Sequence, residues 1–355
     1  MATLREVAEA AGVSISTVSR VVNGYEHVSE EVRRRVLQAI EELNYEPNLL
    51  AKALVQGRDT KQIGLLVHDV ANTYFAEIAS AVENVAFQHG YSVILCNSSH
   101  GRSISTYLDT FWQRKVDGVA IATGELSEDH IQRLTRLVER DIPIVISRER
   151  GWPSNSLFEH IQDKIGIIEL DYFSGAKTAA EYLISLGHEN IAFLCSLPPS
   201  ISERDPRTQG FKEALTENGL PVNEKLIVYD IGYGTAAGAR GMFELLSRGV
   251  EFTAVLAYND LVAIGAMGTC RQGGLAVPDD VSIIGFDNIE TSKYIYPLLT
   301  TVHVPKGEQG ELMVTYLLNQ IREKHGALYH RYSMELIVRR STSVAAERRK
   351  PLKTS

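Results

Sequence analysis

TLREVAEAAGVSISTVSRVVN, residues 3–23, reads as two short helices with a tight break at Gly12. Thr3 can cap the first helix, and Glu6 stands three residues on, as a reciprocal capping box requires. Val7, Ala8 and Ala11 recur at helical spacing and make one apolar face. Gly12 ends that helix, where a residue free to take positive φ is least strained. Ser14 then caps a second helix that turns Val18, Val21 and Val22 inward. Ile15, Ser16, Ser19 and Arg20 are left on its outer face, with Thr17 beside them. Two helices joined by a short glycine-containing turn, the second with a small polar and cationic outer face, match the helix-turn-helix DNA reader. A helical hairpin that packs and does nothing else has the same spacing.

Working outward, Asn23-Gly24-Tyr25 is a turn. Ser29 caps a third helix running to about Leu43, with Glu30 and Glu31 suited to the positive end of its dipole. Val32, Val36, Ile40 and Leu43 form its expected inner stripe. Arg33, Arg34 and Arg35 lie outside that stripe, as a solvated face or as phosphate contacts. Pro47-Asn48 stops the domain, and NLLAKALVQG follows, a two-turn helix that Asn48 can cap and Gly57 can end. So short a helix is unstable alone, because nucleation costs too much. Leu49, Leu50, Ala51, Ala53, Leu54 and Val55 therefore need a surface supplied from elsewhere, unless the segment is a linker that never folds.

TLREVAEAAGVSISTVSRVVNG followed by VSEEVRRRVLQAIEELNYEPN resembles the start of a LacI/GalR-type transcriptional repressor. The match is nearly unbroken over Thr3 to Asn48 and continues more weakly to about Ser343. The resemblance implies DNA contacts at Thr3, Ser14, Ile15, Ser16, Thr17, Ser19, Arg20 and Asn23. It also implies that the linker orders on DNA through Asn48 and Ala51 and pairs with its copy through Leu50. Leu54 would then wedge between minor-groove base steps, a known way to kink DNA.

A chain of 355 residues suggests two or three units. Hydrophobic content of 44% belongs to a soluble globular protein, and no apolar run approaches the ~18 residues of a membrane span. The N-terminus lacks the apolar core of a signal peptide, so a cytoplasmic location is expected. Cys96, Cys195 and Cys270 are odd in number and far apart, which fits reduced, buried thiols. The net charge of −8 is awkward for a DNA-binding protein, and residues 1–60 hold seven Lys/Arg against nine Asp/Glu. A few placed cations still suffice to contact phosphates, while an acidic remainder limits non-specific binding.

From Gln62 the texture changes to strands alternating with helices. QIGLLV, YSVILC, VDGVAI and IPIVIS form one series; NIAFLC, KLIVYD, FTAVLA and VSIIGF form a second from near Asn190. Short apolar runs separated by helical patterns indicate right-handed βαβ units and parallel sheets, here in two α/β lobes. The resemblance adds that the chain crosses between lobes near residues 161, 289 and 324. The expected fold class is multidomain: a small all-α helix-turn-helix head over 1–46, a linker over 47–60, and a periplasmic-binding-protein-like α/β core over 61–343. Lobe 1 would comprise about 61–161 and 290–323, and lobe 2 about 162–289 and 324–343. Residues 344–355 read as a basic, disordered tail.

Ligands of open parallel sheets sit beyond the carboxyl ends of the strands. Reading just past each strand gives His68, Asp69 and Asn72, then Arg148, Arg207, Tyr233, Asn259 with Asp260, and Asp287. Such a set suits a polar ligand with many hydroxyls or an anionic group, held by hydrogen bonds and stacked on rings. The family's motifs fall on the same loops, implying effector contacts at Tyr74 and Phe75, Ser147 and Arg148, Arg207 of R-x-x-G-F, Asn259 of N-D, and Asp287 of G-F-D. Asp260 and Asp287 could instead only cap the helices that follow. Ser147 stands where the family often has aspartate, and Tyr172 where asparagine is usual. The first departure sits at the pocket, and losing that acceptor beside a retained arginine leans toward a more anionic effector.

Enzyme signals are weak. Gly232, Gly234 and Ala237 fit a loose dinucleotide fingerprint, but in the second lobe and without the acidic residue about 20 positions on. No phosphate loop or nucleophile elbow is present, and the ten histidines are scattered, so neither catalysis, a cofactor nor a metal is expected. The sequence thus points to a cytoplasmic homodimer that binds a palindromic operator and represses sugar or carbon-source genes under control of a small polar effector. A co-repressor-dependent regulator sensing a nucleobase, nucleoside or sugar phosphate is the alternative. A solute-binding receptor would share the two-lobed body but not the 57 N-terminal residues. No leucine heptad follows Val338, which argues against tetramers built on a C-terminal coiled coil.

Overall fold

The computed structural model describes residues 2–22, 25, 28–45, 60–99, 101–124, 126–149, 156–323 and 326–345. The chain divides into two compact units, Met1–Thr60 and Lys61–Ser355. In the first, α1 spans Leu4–Ala11, α2 Ile15–Val22 and α3 Glu30–Glu42. The box at the start of α1 is closed both ways: Glu6 N donates to Thr3 Oγ1 at 3.3 Å, and Thr3 N donates to Glu6 Oε2 at 2.7 Å. Gly12 takes φ +62° and donates back to the Ala8 and Glu9 carbonyls, the left-handed cap that a side chain would strain. Ser14 Oγ accepts from Thr17 N at 3.2 Å and starts α2.

Val7, Ala8, Ala11, Val18, Val21, Val36, Ala39 and Tyr45 form the buried core of this unit, with Val22, Val32 and Ile40 partly buried against it. Two expectations fail here. Leu43 does not complete the inner stripe; it is the exposed C-cap of α3. The chain turns there through Asn44 at φ 46°, Tyr45 N bonds to the Ile40 carbonyl at 2.9 Å, and the Tyr45 ring fills the place assigned to leucine. Ser29 holds the N-cap position of α3, but its side chain makes no cap hydrogen bond. The proposed linker helix from Asn48 to Gly57 and the tail from residue 346 lie outside the described residues.

The second unit carries twelve strands among its described residues: β1 Gln62–Val67, β2 Ser92–Asn97, β3 Gly118–Ala122, β4 Ile144–Glu149, β5 Gly166–Leu170, β6 Ile191–Leu194, β7 Ile227–Val228, β8 Ala254–Ala257, β9 Ser282–Asp287, β10 Thr300–His303, β11 Tyr329–Tyr332 and β12 Glu335–Ile337. They form two six-stranded sheets, in the orders β11-β5-β4-β3-β1-β2 and β12-β10-β9-β8-β6-β7. All pairs are parallel except β10 with β12. Isoleucine, valine, leucine and alanine dominate β1, β3, β6 and β8, as strands covered by helices on both faces require.

The lobes are as expected in kind, but the crossings are displaced. β5 belongs to the first sheet, so the chain leaves it at Asp171 rather than near 161. β10 belongs to the second sheet, and the helix Lys306–Glu323 packs back on the first, so the return falls after His303 rather than near 289. The last crossing lies between Tyr332 and Glu335, not near 324. Packing explains the first shift: a side chain at Gly166 would collide with the Tyr316 ring, which covers β5 from the helix Lys306–Glu323.

Candidate functional site

On the head, the outer face of α2 presents Ile15, half exposed, with Ser16 and Arg20 exposed and Thr17 and Ser19 partly buried. Ser14 Oγ lies 2.7 Å from Ser16 Oγ and 2.8 Å from Thr17 Oγ1. These hydroxyls satisfy one another and are available to trade partners with phosphate or base edges. Arg20 makes no ion pair with any described residue. Arg33 is less available, since its Nη2 donates to the Tyr25 carbonyl at 2.8 Å. Asn23, Asn48, Ala51 and Leu54 fall outside the described residues.

The second constellation gathers at the carboxyl ends of β1, β4, β8 and β9. Arg207 is its centre. Asp205 caps the helix Pro206–Glu217 through Thr208 N at 2.8 Å, and Pro206 supplies the pre-set first turn. That helix lies so close to the helix Tyr172–Ser185 that a Cβ at Gly210 would overlap the Phe173 carbonyl oxygen. The approach sets the Arg207 guanidinium 3.7 Å from the centre of the Tyr172 ring, 4.5 Å from Tyr258 and 4.9 Å from Phe286, three cation–π contacts in a buried place. Its Nη1 donates to Tyr258 OH at 3.2 Å and to Glu149 Oε1 at 3.0 Å, while its Nε is buried with no acceptor. Burial works against the charge, but Tyr258, Glu149, Tyr172 and Asp205 hold its pKa well above the ordinary value.

Asp287 lies within electrostatic reach of Arg207. It is buried, sits at φ 111°, and its carboxylate accepts no hydrogen bond from the described residues. Burial pushes its pKa up to about 7, against the pull of Arg207 and Lys306. Lys306 fixes the backbone behind it: the buried ammonium donates to the carbonyls of Asp287 at 2.6 Å, Asn288 at 3.1 Å and Val304 at 3.3 Å, and faces Glu77 at 3.5 Å. The unfavourable φ of Asp287 is thus held by three charge-assisted bonds.

Tyr74 and Phe75 stand where expected, at the head of the helix Thr73–Gln88, which Asn72 caps through Tyr74 N at 3.0 Å. Tyr74 OH lies 3.1 Å from Tyr172 OH, and burial raises the pKa of both phenols, keeping them neutral donors. Phe75 and Tyr233 approach His68 from opposite lobes, with ring centres 6.0 and 5.6 Å away. Asp69 is partly buried, and its Oδ1 accepts from Ala71 N at 3.1 Å in a local turn.

Four assignments change. Arg148 points away from Arg207, paired with Glu169 at 3.7 Å, because strand residues alternate faces and the cleft face of β4 carries Ser147 and Glu149. Ser147 is itself taken by Gln309 Nε2 at 2.6 Å. Asn259 works inside the second lobe, capping the helix Asp260–Gln272 through Val262 N at 2.8 Å and holding the Tyr233 carbonyl at 2.9 Å. Asp260 caps nothing; it is buried between Ile289 N, at 2.8 Å, and the Thr301 hydroxyl. Sequence reasoning missed Glu149, Tyr172, Tyr258, Lys306 and Gln309 as neighbours of the site. For Glu149, the two-residue period of β4 was a usable signal.

Among the described residues, no helix is long and apolar enough to cross a membrane, and no group of three or more His, Cys, Asp or Glu could hold a metal ion. Residues 3–48 match the model of bacterial regulatory proteins of the lacI family, and residues 180–342 match a periplasmic binding protein-like domain. The transcriptional repressor PurR of Photobacterium profundum is 33% identical over 345 residues, 96% of this chain and 98% of that protein. The chain belongs to the LacI family. A lac repressor dimer bound to operator and the anti-inducer ONPF superposes with a TM-score of 0.76 at 28% identity, covering 96% of this chain and 99% of that one. The regulator CelR in complex with cellobiose gives 0.66 at 29% identity, over 96% and 100%. This LacI-family member is therefore a ligand-responsive, DNA-binding transcriptional regulator: the helix-turn-helix is its DNA reader, and the two α/β lobes are its effector-binding body.

Proposed function

We propose that this protein is a repressor of sugar or carbon-source genes that grips a palindromic operator as a homodimer and senses a small, hydroxyl-rich effector between its lobes. The observation that carries the effector reading is the buried neighbourhood that Asp287 shares with Arg207. A buried carboxylate that accepts no hydrogen bond from the described residues feels the charge of a buried guanidinium whose Nε lacks an acceptor among them, and that guanidinium lies over the rings of Tyr172, Tyr258 and Phe286. Neighbouring sugar hydroxyls supply the missing donor and acceptor together, and a sugar's C–H faces suit aromatic surfaces. The cellobiose held by CelR supports the same chemistry, and the lac repressor dimer on its operator supports the two-fold arrangement.

On the DNA side, Ile15, Ser16, Thr17, Ser19 and Arg20 enter a major groove, with Arg20 making the bidentate guanine contact. Thr3, Ser14 and Asn23 position the head on the backbone, and Asn48, Ala51 and Leu54 serve the minor groove. Two-fold pairing sets the half-sites about one helical turn apart. Effector acts only through its different affinity for the two lobe arrangements.

A thermal-shift screen across sugars, sugar phosphates and nucleosides tests this. A true ligand stabilises the fold by about 2.7 kcal/mol at a hundred times its Kd. The expected result is a hit among neutral sugars that also changes affinity for a palindromic duplex. Hits confined to nucleosides would replace the sugar reading.

A further inference from the structure

The geometry points to Glu149 as a charge gate of the effector cleft, a specificity residue that admits neutral polyhydroxyl effectors and turns anionic ones away. The inference rests on the interlobe effector site proposed above and narrows its ligand class.

Glu149 ends β4 on the first sheet, and Arg207 lies in the first turn of a helix packed on the second lobe, so their 3.0 Å contact spans the two lobes. The Arg207 side chain is 8% exposed and that of Glu149 40%. One partner is fixed in the wall, and the other stands at the opening. Among the described residues, Arg148 and Lys306 are engaged elsewhere. Arg148 points to Glu169, and the Lys306 ammonium donates to three carbonyls while facing Glu77. Asp205 is held by Thr208 and Tyr258 yet still lends its charge to Arg207, so Glu149 in direct contact, with Asp205 and Asp287 at longer range, are the acids around the guanidinium.

An entering phosphate or carboxylate finds one guanidinium, already matched by Glu149, with a second carboxyl at Asp287. To reach Arg207 it must displace Glu149 and then sit beside that displaced charge in a medium that screens poorly. A neutral hydroxyl meets no such repulsion. It can accept from Arg207 Nε, which lacks an acceptor, and donate to Asp287, leaving the ion pair in place. Selectivity thus comes from a repulsive element built against the wrong ligand. The serine at position 147 does not make the site anion-seeking, because the arginine beside it faces the other way.

Full-length protein, E149Q, E149A and E149Q/R207Q are compared by thermal shift with inorganic phosphate against chloride at matched ionic strength. A second arm uses ribose with ribose 5-phosphate and glucose with glucose 6-phosphate. The gate predicts that phosphate stabilises the parent no more than chloride does. E149Q and E149A should bind phosphate at least tenfold more tightly, and E149Q/R207Q should lose that gain. In the second arm the parent answers only to neutral sugars, whereas E149Q also accepts the phosphate ester of any sugar it binds. Equal phosphate affinity in the parent and both Glu149 variants overturns the gate. A parent that binds a neutral sugar while E149Q still excludes its ester keeps the sugar reading and sinks the gate. A parent blind to every sugar, with phosphate captured through Arg207 in E149Q, sinks the sugar reading and keeps the gate.

Discussion

The head and the cleft solve different problems with the same chain. In the head, the caps that shape the reading helices are local, Thr3 with Glu6 and Ser14 with Thr17, and three consecutive short helices share one core. Its chemistry is on the outside, and its core is small and apolar. In the cleft, Glu149, Arg207, Tyr258 and Asp287 come from four separate places in the two lobes, and all but Glu149 are buried. A surface reader is specified by helical period, whereas a buried binder is specified by which face of each strand looks inward. The two functions should accordingly separate by mutation.

The largest expected effect is in the cleft. Arg207→Ala removes the cation that Glu149 contacts and whose charge Asp287 feels, and loss of a charge-assisted hydrogen bond costs about 1.5–3 kcal/mol. Effector response should vanish in thermal shift while affinity for operator without effector stays within a few-fold. Parallel loss of operator binding would break the comparison. Arg20→Ala is the converse: loss of one bidentate base contact costs about 1–3 kcal/mol of operator affinity, and effector-induced stabilisation should be unchanged. Gly210→Ala forces apart the two helices that set Arg207 over Tyr172. Overpacking of this kind costs about 1–3 kcal/mol, read as a lower Tm of the core together with weaker effector binding.

The smallest effect is a pH dependence. The pKa of Asp287 in the folded protein, about 7 through burial, lies above its ordinary value near 3.9. Its contribution to stability is therefore fully present below the ordinary value and is lost as pH rises through about 7. Buried His188 works the other way: its pKa is lowered by burial, so its contribution falls as pH drops. The difference between Asp287→Asn and the parent isolates the first. Hydroxyl donors favour the charged carboxylate, so effector affinity should rise from about pH 6 to about pH 8 in the parent and stay flat in Asp287→Asn. A flat parent profile would mean that Asp287 does not touch the effector.

Much of this was legible in the sequence, unevenly. The capping box, the Gly12 break, the alternation of strands and helices, and the placing of Arg207 and Asp287 beyond strand ends follow from local pattern, although Arg207 sits in the first turn of a helix rather than in a loop. The lobe crossings did not, because a run such as Gly166–Leu170 pairs equally well in either sheet by composition. Only its register against β4, Arg148 beside Glu169, settles which sheet it joins. That register also turns Arg148 out of the cleft and Glu149 into it. Tyr172 stood out as a departure from the family pattern, yet its place under Arg207 depends on the closeness that Gly210 allows. Leu43 lost its inward place to Tyr45 through a left-handed residue at Asn44, which helical periodicity cannot foresee.

The central claim is that occupancy of the Arg207–Asp287 cleft governs the grip of the head on DNA. Its most direct test is a fluorescence-anisotropy titration of a labelled palindromic duplex with the full-length protein, with and without the sugar that raises its Tm. A coupling of about 1–3 kcal/mol, a five- to 150-fold change in duplex affinity, is expected in the parent and absent in Arg207→Ala. A sugar that raises the Tm through Arg207 yet leaves duplex affinity unchanged would contradict the account.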